Sequence, residues 1–133
     1  MIGLDTNVLV RYLTQDDAEQ AAAANRVMQA QCTADDPCRL SLVVLCELVW
    51  VLRGPYGCDR ETIAGILERL LSAAELEVAD EAIAWRAMRA YAEGPADFAD
   101  YCILFAHREA GCSRTLSFDQ RLARHPEVDI PTA

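Results

Sequence analysis

Glu47 is the only polar residue in the apolar run 42–52. An ionised carboxyl group without a partner is costly in a low-dielectric interior, so its site must supply a cation, a hydrogen-bond network or an edge open to water. Two interpretations stay open. The run is an amphipathic helix whose wet side carries Glu47, or Glu47 is a metal ligand or a catalytic acid. The second interpretation requires further acids elsewhere in the chain.

Such acids stand where parallel strands are predicted to end. Asp5 closes the first predicted strand, and Asp119 closes a later one. Asp97 and Asp100 begin the helix before that later strand, and their spacing of three residues places them on one helix face. Ligands of open α/β sheets bind beyond the carboxyl ends of the strands. We therefore expect these acids and Glu47 to meet at one edge of the sheet.

A cluster of this kind calls for a metal ion. Two carboxylates about 4 Å apart repel by roughly 4 kcal/mol at an effective dielectric constant near 20. A divalent cation reverses the sign of that energy, and a set of oxygen ligands without Cys or His suits Mg²⁺ or Mn²⁺ and not Zn²⁺. The predicted metal ligands are Asp5, Glu47, Asp97, Asp100 and Asp119.

Four of these acids also have a structural alternative at a helix start. Asp97 and Asp100 suit the first turn of a helix, where the helix dipole favours negative charge. Asp5 and Asp119 suit the N-cap positions of the first and last helices. These alternatives leave Glu47 unexplained, which favours the metal site.

The pattern along the chain predicts one α/β domain over residues 1–133 with a doubly wound parallel sheet, because strands and helices alternate. The predicted strands are residues 2–4, 38–42, 76–78, 113–118 and 128–130. The predicted helices are residues 7–13, 18–31, the segment that carries Glu47, 60–72, the segment from 80 to 93, 97–110 and 119–124. The first helix is predicted to start at Thr6 or Asn7, Asp59 is predicted to cap the helix 60–72, and Gly111 is predicted to close the helix 97–110 as a left-handed cap.

The charge balance excludes several chemistries. Net charge is −9, and all 12 basic residues are Arg. Without Lys there is no P-loop lysine, no Schiff-base lysine and no Ser-Lys dyad. The acidic balance opposes non-specific binding to nucleic acid, so a phosphate substrate needs a bound cation or local arginines. Arg11, Arg53 and Arg86 are candidates for phosphate contacts, with a solvated surface arginine as the alternative for each.

The cysteines and the chain ends bear on location. The six cysteines form no C-x-x-C pair and no zinc-spaced cluster, so we expect six thiols, with a disulfide scaffold as the alternative. His107 and His125 are expected to have surface or structural roles. No apolar stretch reaches the length of a membrane span, and no signal peptide is visible. A cytoplasmic protein is therefore expected.

Four segments of the chain resemble the PIN-domain ribonucleases, and most closely the VapC-type toxins of bacterial type II toxin–antitoxin systems. They occur in the family's order and span essentially the whole chain. The segments are Leu4-Asp5-Thr6-Asn7-Val8-Leu9-Val10-Arg11, Glu47-Leu48, Ala96-Asp97-Phe98-Ala99-Asp100 and Thr115-Leu116-Ser117-Phe118-Asp119.

The resemblance implies a PIN-like three-layer fold, with a central parallel sheet of about five strands flanked by helices. Asp5, Glu47 and Asp100 match the family's core acids, and Asp119 matches a more variable fourth acid. Asp97 matches the extra acid of the D-F-x-D form. The polar residues beside the acids correspond to Asn7 and Ser117.

The same resemblance implies a metal-dependent endoribonuclease, with Mg²⁺ or Mn²⁺ as cofactor and RNA as substrate. It also implies a homodimer that is inhibited by a cognate antitoxin protein and contacts DNA only through that antitoxin. Attack in line by an activated water is expected to leave a 5′-phosphate and a 3′-hydroxyl.

Two other classes of function are weighed against the nuclease. A phosphatase of the haloacid-dehalogenase type would need a second aspartate where Asn7 stands, together with a lysine that the chain does not have. A non-catalytic binding or regulatory module would not need the full set of acids.

Overall fold

Two helices precede each of the first three short strands in the computed structural model, which describes all 133 residues of the chain. The helices are α1 (Thr6–Thr14), α2 (Ala18–Ala30), α3 (Leu42–Arg53), α4 (Arg60–Ser72), α5 (Glu81–Glu93) and α6 (Phe98–Glu109). The strands are β1 (Cys38–Leu40), β2 (Leu76–Val78), β3 (Thr115–Leu116) and β4 (Val128–Asp129). The chain divides into two units, residues 1–81 and residues 82–133.

In the first unit, the helices begin where small polar side chains occur in the sequence. The Ser41 hydroxyl accepts a hydrogen bond from the Val44 N–H at 3.1 Å, and Asp59 accepts one from the Thr62 N–H at 2.8 Å. Each bond satisfies a backbone donor that has no partner within the first turn of a helix. These caps fix where α3 and α4 start, and the predicted cap at Asp59 is confirmed.

The sheet of the first unit joins β1 and β2 in parallel, with Cys38 opposite Leu76 and Leu40 opposite Val78. The N-terminal segment contributes an isolated parallel bridge between Gly3 and Arg39. Burial alternates along β1, because Cys38 and Leu40 are buried while Arg39 is exposed. The core beside this sheet includes Leu9, Leu45, Leu48, Ile63 and Leu67.

In the second unit, β3 pairs with β4 in parallel, with Thr115 opposite Val128. A 3₁₀ turn, Leu122–Arg124, lies between the two strands. Helix α6 ends before Gly111, whose φ of +93° is the left-handed cap that the sequence predicts. The rings of Tyr91 and Phe98 pack edge to face at 6.2 Å.

Four of the five predicted strands form, and the N-terminal segment forms only the isolated Gly3 bridge. The strand 76–78 keeps its predicted bounds, and the other three strands are shorter than predicted. Five parallel segments occur, but hydrogen bonds join them as the Gly3 bridge with β1 and β2, and as β3 with β4. These bonds do not form the predicted continuous sheet of five strands. The predicted strand 113–118 shortens to Thr115–Leu116, because the Ser117 hydroxyl accepts a bond from the Asp119 N–H at 3.0 Å and turns the backbone there.

The prediction of six thiols is wrong for two cysteines. Cys32 and Cys38 form a disulfide with their Cα atoms 5.0 Å apart. The turn between them brings them together, since the Thr33 hydroxyl accepts a bond from the Asp36 N–H at 3.0 Å. The other four cysteines keep the expected thiol form. None of the helices combines the length and the apolar character that a membrane crossing requires.

Candidate active site

Asp5 stands at the N-terminus of α1 and caps it. Its Oδ1 accepts a hydrogen bond from the Thr6 N–H at 2.8 Å, in extended backbone geometry at the cap. The structural alternative for Asp5 is therefore realised. The side chain is exposed, so capping does not bury it.

Glu47 lies on the solvent side of α3, as the amphipathic interpretation holds. Leu45 and Leu48 are fully buried on the other side of the helix, whereas Glu47 is exposed. Glu47 is therefore not a carboxylate inside the apolar core, and its role as a metal ligand or catalytic acid stays a prediction. The apolar run is long because the exposed face of α3 also carries apolar residues, Val43 and Trp50 among them.

Thr6 connects these two acids. Its N–H donates to Asp5, and its hydroxyl donates to Glu47 Oε1 at 2.8 Å. Thr6 is only 9% exposed, so its hydroxyl is held in place by packing. Sequence reasoning treated Thr6 only as a helix start and missed this role. A hydroxyl residue directly after Asp5 was the available signal.

One cleft in the first unit contains both acids. It has a volume of about 680 Å³ and is lined on its polar part by Asp5, Thr6, Asn7 and Glu47. The predicted supporting residue Asn7 is exposed there. The structure thus brings together residues that are about 40 positions apart in the sequence, at the start of α1 and along α3.

Arg11 lines the same cleft but is already engaged. Its Nη1 donates to Asp16 Oδ1 at 2.9 Å and to the Tyr56 hydroxyl at 3.3 Å, and its Nε donates to Gln20 Oε1 at 2.7 Å. Hydrogen bonds from Tyr56, Thr14 and Arg11 lower the pKa of Asp16 from 3.8 to about 2. The phosphate contact of Arg11 stays a prediction. Arg53 lies on α3 and is exposed, and Arg86 lies on α5.

The acids of the second unit interact with one another. Asp97 occupies the N-cap position of α6 but makes no capping bond with its side chain. Burial raises the pKa of Asp100, and the charges of Asp119 and Asp97 raise it further. A backbone hydrogen bond at Asp97 and the charge of Arg121 lower the pKa of Asp100, without reversing its rise.

Asp119 makes hydrogen bonds of the capping type, although the N-cap residue of the 3₁₀ turn itself is Arg121. Its Oδ1 accepts bonds from the backbone N–H groups of Arg121 at 2.9 Å and Leu122 at 3.0 Å. The predicted supporting residue Ser117 holds Asp119 through the backbone bond that shortens β3. Sequence reasoning missed Arg121, whose charge acts on Asp100.

The two histidines have the structural roles that were expected. His107 Nδ1 lies 2.9 Å from the Thr115 hydroxyl. His125 Nδ1 accepts a bond from the Glu127 N–H, and its ring meets Phe105 edge to face.

Both groups of acids offer only oxygen atoms as metal ligands, which suits Mg²⁺ or Mn²⁺. Neighbouring carboxylates oppose the ionisation of Asp100, and a bound cation would favour it. No group of three or more His, Cys, Asp or Glu side chains is spaced to hold a metal ion in the structure. The residues present fit a hard divalent cation by their chemistry.

Comparison with known proteins gives one match. The family model described as the PIN domain matches residues 2–128. No curated protein and no solved structure matches the chain. The matched residues include all five predicted acidic ligands.

Proposed function

Because the chain belongs to the PIN-domain family, whose members are generally metal-dependent nucleases, we propose that it is an endoribonuclease that hydrolyses RNA phosphodiester bonds with Mg²⁺ or Mn²⁺. The observation that carries the proposal is the match of the PIN-domain family model over residues 2–128. Asp100 supports it, because burial and the charges of Asp119 and Asp97 raise its pKa, and a divalent cation would offset those negative charges.

The proposed metal ligands are the five acids that the sequence singles out, Asp5, Glu47, Asp97, Asp100 and Asp119. Of these, Asp5, Glu47, Asp100 and Asp119 are the proposed catalytic acids. A divalent cation supplies neutralisation of charge at the scissile phosphate and activation of a water molecule. One carboxylate accepts the proton of that water.

Other side chains keep these acids in position. Thr6 holds Asp5 through its N–H and Glu47 through its hydroxyl, so the two carboxylates are oriented before substrate arrives. Ser117 has the same role for Asp119 through the backbone. Fixed carboxylates need less rearrangement when a metal or a phosphate binds.

The biological role we propose is that of the toxin in a toxin–antitoxin pair. The four segments that resemble VapC-type toxins support this role, as does the full set of acids. The partners would be a cognate antitoxin protein and a second copy of the chain. A net charge of −9 opposes direct binding to DNA, so contact with DNA would come through the antitoxin.

The test of the nuclease is cleavage of total RNA by the purified protein in Mg²⁺, in Mn²⁺ and in EDTA. We expect cleavage in either metal and none in EDTA, with 5′-phosphate and 3′-hydroxyl ends. Asp5→Asn and Asp100→Asn should each lower the rate by at least about 100-fold, the upper end of the loss when a residue behind a metal ligand is removed. Asp35→Asn, an exposed acid in a turn, is the matched control.

Full metal-dependent cleavage by Asp5→Asn would remove Asp5 from the mechanism, and a wild-type protein that cuts no RNA in either metal would end the nuclease proposal. The toxin role has its own test. Expression of the wild-type chain in bacteria should arrest growth, and expression of Asp5→Asn should not. A binding or regulatory module would arrest growth in neither form.

A further inference from the structure

The cleft that contains Asp5 and Glu47 also has an aromatic part. Trp50 lines it and is 73% exposed, although tryptophan is usually well buried. Trp50 follows Glu47 by three residues on α3, so the two side chains lie on the same face of the helix. An exposed indole ring thus stands beside one of the proposed catalytic acids.

Tyr56 is the second aromatic side chain of the cleft, and polar contacts fix its position. Its hydroxyl donates to Asp16 Oδ2 at 2.5 Å and accepts from Arg11 Nη1 at 3.3 Å. A ring held in this way loses little conformational freedom when a ligand packs against it. The bonds occupy the polar end of Tyr56 and leave its ring for apolar contact.

The remaining wall of the cleft is apolar and consists of Val10, Val51 and Pro55. An apolar wall, two aromatic rings and a polar part with Asn7 and Thr6 match a flat group with apolar faces and polar edges. A nucleobase is such a group, and unpaired RNA bases are commonly bound by stacking on aromatic side chains.

The charge of the chain favours such a contact for an RNA substrate. A net charge of −9 opposes contacts to the phosphate backbone. Arg11, the cation of the cleft, is already paired with Asp16. Stacking is less opposed by the negative field than phosphate contacts are, because it acts on the uncharged base.

We propose that Trp50 and Tyr56 form a stacking subsite for one unpaired base of single-stranded RNA, beside Asp5 and Glu47. This inference rests on the proposed nuclease function, since it concerns how the same site holds its substrate. The subsite selects single strands because a base in a duplex is already stacked and paired.

The kinetic test compares variants on a single-stranded RNA. Trp50→Ala should raise KM about tenfold, within the range for loss of one base–aromatic stack, and should leave kcat nearly unchanged. Trp50→Phe keeps a ring and should stay near the wild-type KM. Val43→Ala is the control, because Val43 is an exposed apolar residue on the same helix that does not line the cleft. An unchanged KM for a folded Trp50→Ala protein overturns the subsite.

A binding test works without any nuclease activity. The chain has two tryptophans, so Trp85→Phe leaves Trp50 as the only indole fluorophore. AMP contains a base but no phosphodiester bond, and ribose 5-phosphate contains neither. We expect AMP to quench Trp50 fluorescence saturably and ribose 5-phosphate to leave it unchanged. Equal responses to both ligands, or no response to AMP, would refute stacking.

These two tests separate the subsite from the nuclease. If the wild-type protein cleaves no RNA but AMP still quenches Trp50, the nuclease proposal fails and the base site stands. If RNA is cleaved, Trp50→Ala leaves KM unchanged and AMP does not quench Trp50 fluorescence, the subsite alone fails. A second copy of the chain is the competing occupant of the exposed α3 face. Loss of a dimer in both Trp50→Ala and Val43→Ala, measured by sedimentation, would assign the face to that copy instead.

Discussion

The acids of the first unit and those of the second unit are held in different ways. Asp5 and Glu47 each accept a hydrogen bond from Thr6. Asp100 and Asp119 also accept hydrogen bonds from backbone N–H groups, but burial and the charge of Asp119 raise the pKa of Asp100. Protein donors stabilise a carboxylate without a cation, whereas neighbouring carboxylates repel each other until a cation binds. We therefore expect metal binding to raise the free energy of unfolding mainly through the acids of the second unit.

The two N-cap aspartates differ in the same sense. Asp5 caps α1 with its side chain, but Asp97 makes no capping bond in α6. The side chain of Asp5 thus stabilises the fold, while that of Asp97 adds negative charge near Asp100. One residue type at one kind of helix position therefore has two different effects.

The largest expected effect is stabilisation by metal. At a Mg²⁺ concentration 100 times its dissociation constant, the free energy of unfolding should rise by about 2.7 kcal/mol. Asp100→Asn should lose most of that gain, because it removes a ligand from the crowded group. Thermal unfolding with and without Mg²⁺ measures the effect, and Asp35→Asn is the control. If Mg²⁺ stabilises Asp100→Asn as much as the wild type, the comparison between the two groups is wrong.

The next effect concerns the covalent link that only the first unit has. Replacing both Cys32 and Cys38 by alanine should lower the free energy of unfolding by about 2 kcal/mol, because the short loop between them is no longer closed in the unfolded chain. Chemical denaturation with and without a thiol reductant measures the loss. Cys112→Ser, in the second unit, should leave both the stability and its response to reductant as in the wild type. A wild-type protein indifferent to reductant would contradict this expectation.

A smaller effect has opposite signs in the two acid groups. In EDTA, Asp5→Ala should lower the free energy of unfolding by about 1 kcal/mol, because the cap of α1 is lost. Asp100→Asn should instead raise it, because repulsion from Asp119 is relieved. Asp5→Asn keeps an N-cap side chain and serves as the control for the first change. A destabilised Asp100→Asn protein would show that repulsion from Asp119 is outweighed by other contacts of Asp100.

The smallest effect is a pH dependence at Asp16, which bonds two residues of the cleft, Arg11 and Tyr56. Hydrogen bonds from Tyr56, Thr14 and Arg11 hold the pKa of Asp16 at about 2, below its ordinary 3.8. A lowered pKa in the fold gives stability that is complete above the ordinary value and is lost as pH falls through the lowered one. Asp16→Asn should therefore be less stable than the wild type at neutral pH and equal to it below about pH 2.

Melting temperatures of the two proteins measured from neutral pH downward would show this convergence. Asp35→Asn, an acid in an exposed turn, should follow the wild type throughout. A constant difference between Asp16→Asn and the wild type at all pH values would mean that Asp16 acts through packing and not through its charge.

Local features were the part of the fold that sequence reasoning predicted well. Asp59 and Gly111 mark helix ends through side-chain capping and positive φ, which depend only on neighbouring residues. The side of α3 on which Glu47 lies was left open by the sequence for a related reason. An apolar run does not reveal which apolar residues stay on the surface, and Trp50 and Val43 stay there.

The disulfide was missed because cysteine spacing alone does not specify pairing. Cys32 and Cys38 meet only through the turn held by Thr33 and Asp36. The role of Thr6 was missed for the same kind of reason, since its partner Glu47 is 41 positions away in the chain.

The sequence by itself determined the order of helices and strands, the acids available as ligands, and the absence of lysine chemistry. These follow from residue type and short-range geometry. Only the tertiary structure decided that Thr6 bonds two distant acids, that Asp119 opposes ionisation of Asp100, and that Trp50 and Tyr56 share a cleft with Asp5. Such contacts depend on how helices pack against one another, and packing distances are not encoded in the spacing of residues along the chain.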